Sequence, residues 1–290
     1  YEGTLDQLYN KDFDTFIEYN RQDTRLLAKL DSKLKFIDLA NTIAHDNTVL
    51  LPTVMGAVAT TEQAIINEAH SQGLVVPNRK SKEEDAGDTQ AAGAYVAYPK
   101  TGMHQSIGAI DINSLYPSAI RALNMGPETI VGQLQPIMTD RYIQDKMNNG
   151  AIFAEAWEGL FGSLEYTSVM NGEAGTEITI NWENGSSDIL SAADVWRLIF
   201  QSDKPWVLSA NGTIFTIEQK GIVPSLLERW YAERKEMQKK LQESATEEDK
   251  EYWDKRQLVK KINLNSLYGA ILNPGCRFFD QRIGQSTTLT

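Results

Sequence analysis

Apolar residues early in the chain recur at three- and four-residue steps with charges between them. Phe13, Phe16, Ile17, Leu27, Leu30, Leu34 and Ile37 predict an amphipathic helix from 12 to about 46, capped by Asp12 or Asp14. A second helical pattern covers about 54–72 and ends near Gly73. Residues 77–93 offer almost nothing to bury and predict a mobile surface loop or linker. From 94 the period shortens. Ala94–Tyr98 reads as a strand closed by the turn Pro99-Lys100-Thr101-Gly102, and 107–112 as a short, nearly continuous apolar central strand. A helix is expected from about 117 to 124.

The stretch 150–216 is β-rich. Ile178, Ile180 and Trp182 alternate before the turn Asn184-Gly185, and 206–208 faces 213–216 across Asn211-Gly212. A helix interrupts them near 192–200. Two long helical patterns follow. Ile222, Leu226, Trp230, Met237 and Leu241 mark the first, with Pro224 tolerated in its opening turn. Leu258, Val259, Ile262 and Ser266 mark the second, which ends near Gly269. The polar link at 242–249 makes the pair an antiparallel helical hairpin. No fixed-period repeat is present, which argues against solenoids and propellers.

Composition changes this picture little. The 290 residues, 41% hydrophobic and 23% charged, suit one large or two modest globular domains. No run approaches the ~18 apolar residues of a membrane span. The opening YEGTLDQLYN lacks signal-peptide features and a starting Met, so a trimmed or partial chain is expected. The lone Cys276 cannot form an internal disulfide, which suits a reducing compartment. Asn184-Gly185-Ser186 and Asn211-Gly212-Thr213 fit the glycosylation pattern but read as plain turns in that setting. A net charge of −11 speaks against phosphate binding over the whole surface, though a cleft can be locally basic.

Asp111 is the most informative single residue. A carboxylate ending a strand can hold a hard divalent cation, and the turn after it can aim N–H groups at phosphate oxygens. For a lone aspartate, capping the turn is the commoner role. Lys261, Asn265 and Tyr268 stand four and three apart and so share one helix face. The run 255–261 holds four basic residues and no acidic one. It is either a solvated face or a means of concentrating an anionic substrate. Tyr19 and Asp23 lie one helical turn apart, by themselves an ordinary surface pair.

The longer strings carry a resemblance. Asp111-Ile112-Asn113-Ser114-Leu115-Tyr116-Pro117-Ser118 resembles motif A of the family B DNA polymerases, with Ala119-Ile120 where that family has two isoleucines. Lys261-Ile262-Asn263-Leu264-Asn265-Ser266-Leu267-Tyr268-Gly269 resembles motif B, and Arg234-Lys235 the arginine-lysine pattern between them. Tyr19-Asn20-Arg21-Gln22-Asp23 is similar to the Y-x-x-x-D motif of the linked 3′→5′ exonuclease. Residues 124–130 and 277–280 look most like the replicative polymerases of T-even-like tailed phages.

That resemblance implies an α+β fold. It is a partial right hand with a β-sheet palm and antiparallel helical-hairpin fingers, preceded by the C-terminal helix of an exonuclease domain. The divisions would be 1–45 exonuclease end, 46–93 helical connection and linker, 94–220 first palm part with a β-rich insertion at about 137–216, 221–270 fingers, and 271–290 start of the second palm section. It implies a DNA-directed DNA polymerase, a nucleotidyltransferase adding deoxynucleotides to a primer end by phosphoryl transfer with two Mg2+ ions.

Asp111 would bridge the metals, aided by the Ile112 carbonyl. Backbone N–H groups of Ser114 and Leu115 would hold triphosphate oxygens, with Tyr116 as steric gate against ribose. Arg234 would clamp the γ-phosphate, Lys261 would neutralise charge or protonate pyrophosphate, and Asn265 would bond the triphosphate. Tyr268 and Gly269 would flank the nascent base pair. In the exonuclease, Asp23 would bind metal and Tyr19 orient water. The basic residue expected one turn after Arg234 is replaced by Gln238, and Lys239 lies about 100° away round the helix.

Implied partners are primer-template DNA, deoxynucleoside triphosphates, and a sliding clamp and other replisome proteins reached through regions not in this sequence. The implied setting is the cytoplasm of a phage-infected bacterium, with no membrane. A second palm carboxylate in a D-T-D motif does not follow Asp280, so the isolated chain is expected neither to polymerise nor to excise at useful rates. The alternatives are a non-catalytic nucleic-acid-binding module and one chain of a split polymerase.

Overall fold

The computed structural model describes residues 3–79, 99–134, 139–152, 155–156 and 165–290. An unpredicted helix, α1 (Leu5–Lys11), comes first, and the single helix expected from 12 to about 46 forms two, α2 (Phe13–Leu34) and α3 (Phe36–Asn47). Asp12 caps α2, its carboxylate accepting from Thr15 N at 3.0 Å. The break comes at Lys35, which takes a left-handed conformation with φ 55°. Asp31 stabilises it, accepting from Lys35 N through its carbonyl (2.7 Å) and from Ile37 N through its carboxylate (3.1 Å). The period on α2 is that of an amphipathic helix, yet none of its residues is buried. The aromatics at its N-terminal end meet α1, whose Tyr9 lies edge-on to Phe13 and to Phe16 at 5.3 Å.

Helix α4 (Ala57–Ser71) matches the second predicted helix, and α5 (Leu115–Ala122) starts two residues before its expected position. The predicted strand at 94–98 and most of the 77–93 loop lie outside the described residues. The predicted strand at 107–112 does not form. Ile107, Ile110 and Ile112 are exposed there, Ile110 to 96%. A strand exists only by bonding a neighbour, and among the described residues no sheet edge pairs with this segment.

The sheet is wholly antiparallel, in the order β3 (Ser187–Ser191), β2 (Glu177–Trp182), β1 (Ile130–Leu134), β5 (Thr213–Thr216), β4 (Trp206–Leu208). The β2–β3 and β4–β5 hairpins are those the turn residues predicted. The central strand β1 was not predicted, nor were α6 (Thr139–Asn148) and α7 (Glu165–Met170). Gly132 lets β1 approach its neighbour closely, because a Cβ there would lie 2.8 Å from the Trp182 ring and 2.9 Å from Asn181 O. Helix α8 (Ala192–Phe200), found where expected, lays Ala192, Val195 and Ile199 against Leu134, Ile178, Ile180 and Ile214.

A larger core lies on the other side. Successive β5 residues face opposite ways, so Ile214 belongs to the sheet–α8 core while Phe215 enters the main one. Phe215 meets a helical assembly built from α4 (Ala64, Ile65), α5 (Ile120), α9 (Ile222–Glu243) and α10 (Glu247–Ile271). Helices α9 and α10 are the predicted antiparallel hairpin. Val223, Leu226, Leu227 and Trp230 bury the base of α9, and Leu264, Leu267 and Ile271 the base of α10. The far half is polar. Thr246 caps α10 by accepting from Asp249 N (3.1 Å), with Glu247, Glu248 and Asp249 suited to the positive helix end. A closing helix, α11 (Gln281–Leu289), docks on the sheet through Ser286, whose hydroxyl donates to Asn211 Oδ1 at 2.7 Å.

Candidate functional site

Residues of the two sequence motifs meet where α5 crosses the base of the α9–α10 hairpin. The Tyr116 ring lies 4.3 Å from that of Tyr268, centroid to centroid, tilted by 32°. Behind them, Ile120, Leu267 and Ile271 share the main core, which holds both helices in place. Tyr268 is partly buried, and its hydroxyl donates to Gly284 O at 3.4 Å. Burial pushes its pKa well up, the neighbouring Tyr116 adds to the rise, and a bond with Thr288 opposes it. The phenol is therefore neutral and a donor at any physiological pH.

Ser114 precedes α5 in a left-handed conformation, φ 52° and ψ 53°, a strained choice for a residue with a Cβ. The first amides of a helix have no intrahelical acceptor. Pro117 has no N–H, and Ser118 N already bonds Ser114 O (2.9 Å). Among the described residues the amides of Ser114, Leu115 and Tyr116 donate to no acceptor, beside the exposed Leu115 side chain. Asp111 and Ile112 are both exposed on the extended segment before this turn. Among the described residues no hydrogen bond or ion pair joins Asp111 to the hairpin.

On α10, Lys261, Asn265 and Gly269 are exposed, on the face that also carries Tyr268. Arg234 of α9 reaches that face, its Nε donating to Gln257 Oε1 at 3.4 Å. Gln257 is one turn before Lys261, a position the motif strings passed over and helical spacing alone would have found. The basic run 255–261 is not a free patch. Lys255 pairs with Asp38 (3.3 Å) and Glu251 (2.9 Å), Arg256 lies over the Tyr252 ring (4.6 Å), and Lys260 is buried against Asp46 and Glu233. Lys261 alone of the four cations has no ionic or aromatic partner among the described residues. Gln238 and Lys239 of α9 sit farther toward the tip, and Lys239 pairs with Glu243 at 3.8 Å.

Tyr19 and Asp23 lie on the exposed α2, remote in sequence from the hairpin and without a described contact to it. Among the described residues no three histidine, cysteine or acidic side chains converge as a metal site would require. Asp111 with the Ile112 carbonyl is thus one carboxylate and one carbonyl, less than the oxygen set a pair of divalent cations needs.

The sequence profile of DNA polymerase family B matches residues 53–290. The chain belongs to DNA polymerase family B. Among its relatives, the DNA-directed DNA polymerase of Enterobacteria phage T4 is 26% identical over 313 aligned residues, covering 100% of this chain and 32% of the relative. The DNA-directed DNA polymerase of Escherichia phage RB69 is 28% identical over 49% of this chain and 15% of its own length. The solved family B DNA polymerase of Pyrobaculum calidifontis superposes on 98% of this chain with a TM-score of 0.62 at 18% identity, and the match covers 29% of that structure. This family B chain therefore spans about a third of the length of the T4 polymerase and shares a mixed helix and antiparallel-sheet fold with its solved relative. No helix among its described residues is long and apolar enough to cross a membrane.

Proposed function

We propose that the chain is the central part of a DNA-directed DNA polymerase, binding a deoxynucleoside triphosphate between α5 and the α9–α10 hairpin. The observation that carries this is the Tyr116–Tyr268 ring contact, beside which the exposed Lys261 and Asn265 share one helix face. In this reading 94–220 is the first palm part, the hairpin the fingers, 271–290 the start of the second palm section, and 1–45 the end of a proofreading exonuclease.

The roles follow from the surroundings. The Leu115 amide, and that of Ser114 before it, bond triphosphate oxygens at the head of α5. Lys261, with no carboxylate to neutralise it, places its charge against the phosphoryl group being transferred and protonates the leaving pyrophosphate. Arg234 moves from Gln257 onto the γ-phosphate, and Asn265 donates to the triphosphate. Tyr116, pinned by Tyr268, presents a rigid wall to the sugar, so a 2′-hydroxyl is excluded by shape. Tyr268 and Gly269 face the nascent base pair of the primer-template.

Mg2+ bound there would supply Lewis-acid charge for the in-line displacement. Asp111 and the Ile112 carbonyl would hold one side of it. The described residues do not complete a two-cation site, and the second carboxylate must come from further polymerase sequence or a second chain. Asp23, with Tyr19 beside it, would likewise be one side of an exonuclease metal site. A clamp and other replisome proteins would be engaged through regions outside this chain.

Equilibrium binding of a fluorescent deoxynucleoside triphosphate with Mg2+ tests the reading. Lys261→Met is expected to weaken binding about tenfold, the scale of one lost charge-assisted contact. Tyr116→Val is expected to narrow the gap between deoxy- and ribonucleotide affinity. Equal affinity for both sugars, unmoved by either substitution, would overturn it. The chain alone is expected not to extend a primer, and robust metal-dependent extension would refute the half-site reading.

A further inference from the structure

Two adjacent lysines on α10 have opposite surroundings. Lys261 is exposed, while Lys260 is 4% exposed. Lys260 Nζ lies 2.6 Å from Asp46 Oδ1 on α3 and 2.5 Å from Glu233 Oε2 on α9. The other Asp46 oxygen accepts from Asn263 Nδ2 at 2.8 Å, three residues along α10. Glu233 also pairs with Arg229 (3.4 Å), and Arg229 donates through Nε (3.1 Å) and Nη2 (2.8 Å) to Glu68 of α4. Charges alternate through Asp46, Lys260, Glu233, Arg229 and Glu68, across α3, α10, α9 and α4.

A buried ammonium is tolerated only where carboxylates meet it, so this arrangement has little freedom. Apolar packing of Val259 and Leu264 fixes which side of α10 faces inward but absorbs small rotations. Two short ion pairs to different helices do not. Turning α10 by one residue, about 100°, would bury Lys261 and expose Lys260.

We propose that Lys260 is a positioning residue for nucleotide binding. Its pairs with α3 and α9 set the rotation and height of α10, and so aim Lys261 and Asn265 at the triphosphate. This rests on the nucleotide-binding reading of that face.

A double-mutant cycle on the chain tests it, using a fluorescent deoxynucleoside triphosphate with Mg2+ and a melting curve for each variant. Lys260→Met is expected to weaken binding about tenfold at temperatures where it is fully folded. Lys260→Arg, which can still bridge both carboxylates, should stay within about threefold of the parent. In a Lys261→Met background, Lys260→Met should cost clearly less than in the parent, because the part of its effect that passes through Lys261 is already lost. Unchanged affinity in folded Lys260→Met, or equal losses in both backgrounds, overturns the positioning role while leaving the nucleotide reading intact. Absence of triphosphate binding by the parent chain overturns both. Should Lys260→Met not fold, Asp46→Asn and Glu233→Gln carry the same cycle, each leaving Lys260 one carboxylate and each expected to weaken binding about threefold.

Discussion

Cys276 sits among Phe278, Phe279 and Ile283 in the main core, where burial pushes its thiol from an ordinary 9.0 up to about 11. The sign follows from linkage. Between those values the folded chain keeps a proton that the unfolded chain gives up, so stability present below pH 9 is lost as pH rises toward 11. The pH dependence of the denaturant midpoint is expected to be shallower in Cys276→Ala than in the parent over that window. The native thiol should stay inert to a disulfide reagent at pH 8 until the chain is unfolded. Nothing in the local sequence reveals this burial. Tyr116 and Tyr268 were legible as candidates because they stand in long motif strings, whereas their ring contact depends on the crossing of α5 and α10. Lys260 is the opposite case. Beside Lys261 it reads as one more charge of a basic run, and only the approach of Asp46 and Glu233 separates their roles.

Hairpins show what short-range pattern can specify. Asn211-Gly212 closes β4 on β5 through Gly212 N donating to Ser209 O (2.9 Å), with Gly212 at φ +82°. A Cβ at Gly212 would also lie 2.9 Å from Leu134 Cβ. Gly212→Ala is therefore expected to cost about 1–3 kcal/mol in denaturant unfolding, from strained backbone plus overpacking. An equal or raised unfolding midpoint would show that the turn relaxes. Helix α8 was legible for the same local reason, since Ser191 caps it by accepting from Asp194 N at 3.1 Å. The segment 107–112 carries an equally clear strand pattern without a described neighbour to bond. The α2–α3 break was hidden because Lys35 is no helix breaker by type, and Asp31 makes its left-handed turn favourable.

Across the whole molecule, stability is concentrated where α4, α5, the bases of α9 and α10, and Phe215 share one core. Native-state hydrogen exchange should find the amides of 223–230 and 263–271 slowest. Those of 107–112 should exchange fastest, with α2, which buries nothing, close behind. Slow exchange at 107–112 would mean that a strand partner is present in solution. The acidic total is likewise a matter of distribution. Six of the hairpin's ten cations are committed to carboxylates, and Arg234, Lys235, Arg256 and Lys261 remain as local positive charge on a chain of net charge −11. The sequence by itself determined the hairpin, both β-turn hairpins and the candidate residues, since period, capping and turn chemistry are settled by neighbours a few positions away. Tertiary structure alone decided which lysine is buried, which strand pattern pairs and which apolar helix face finds cover. Those outcomes depend on contacts such as Asn263 with Asp46, separated by 217 positions, and no local pattern encodes which distant group will arrive.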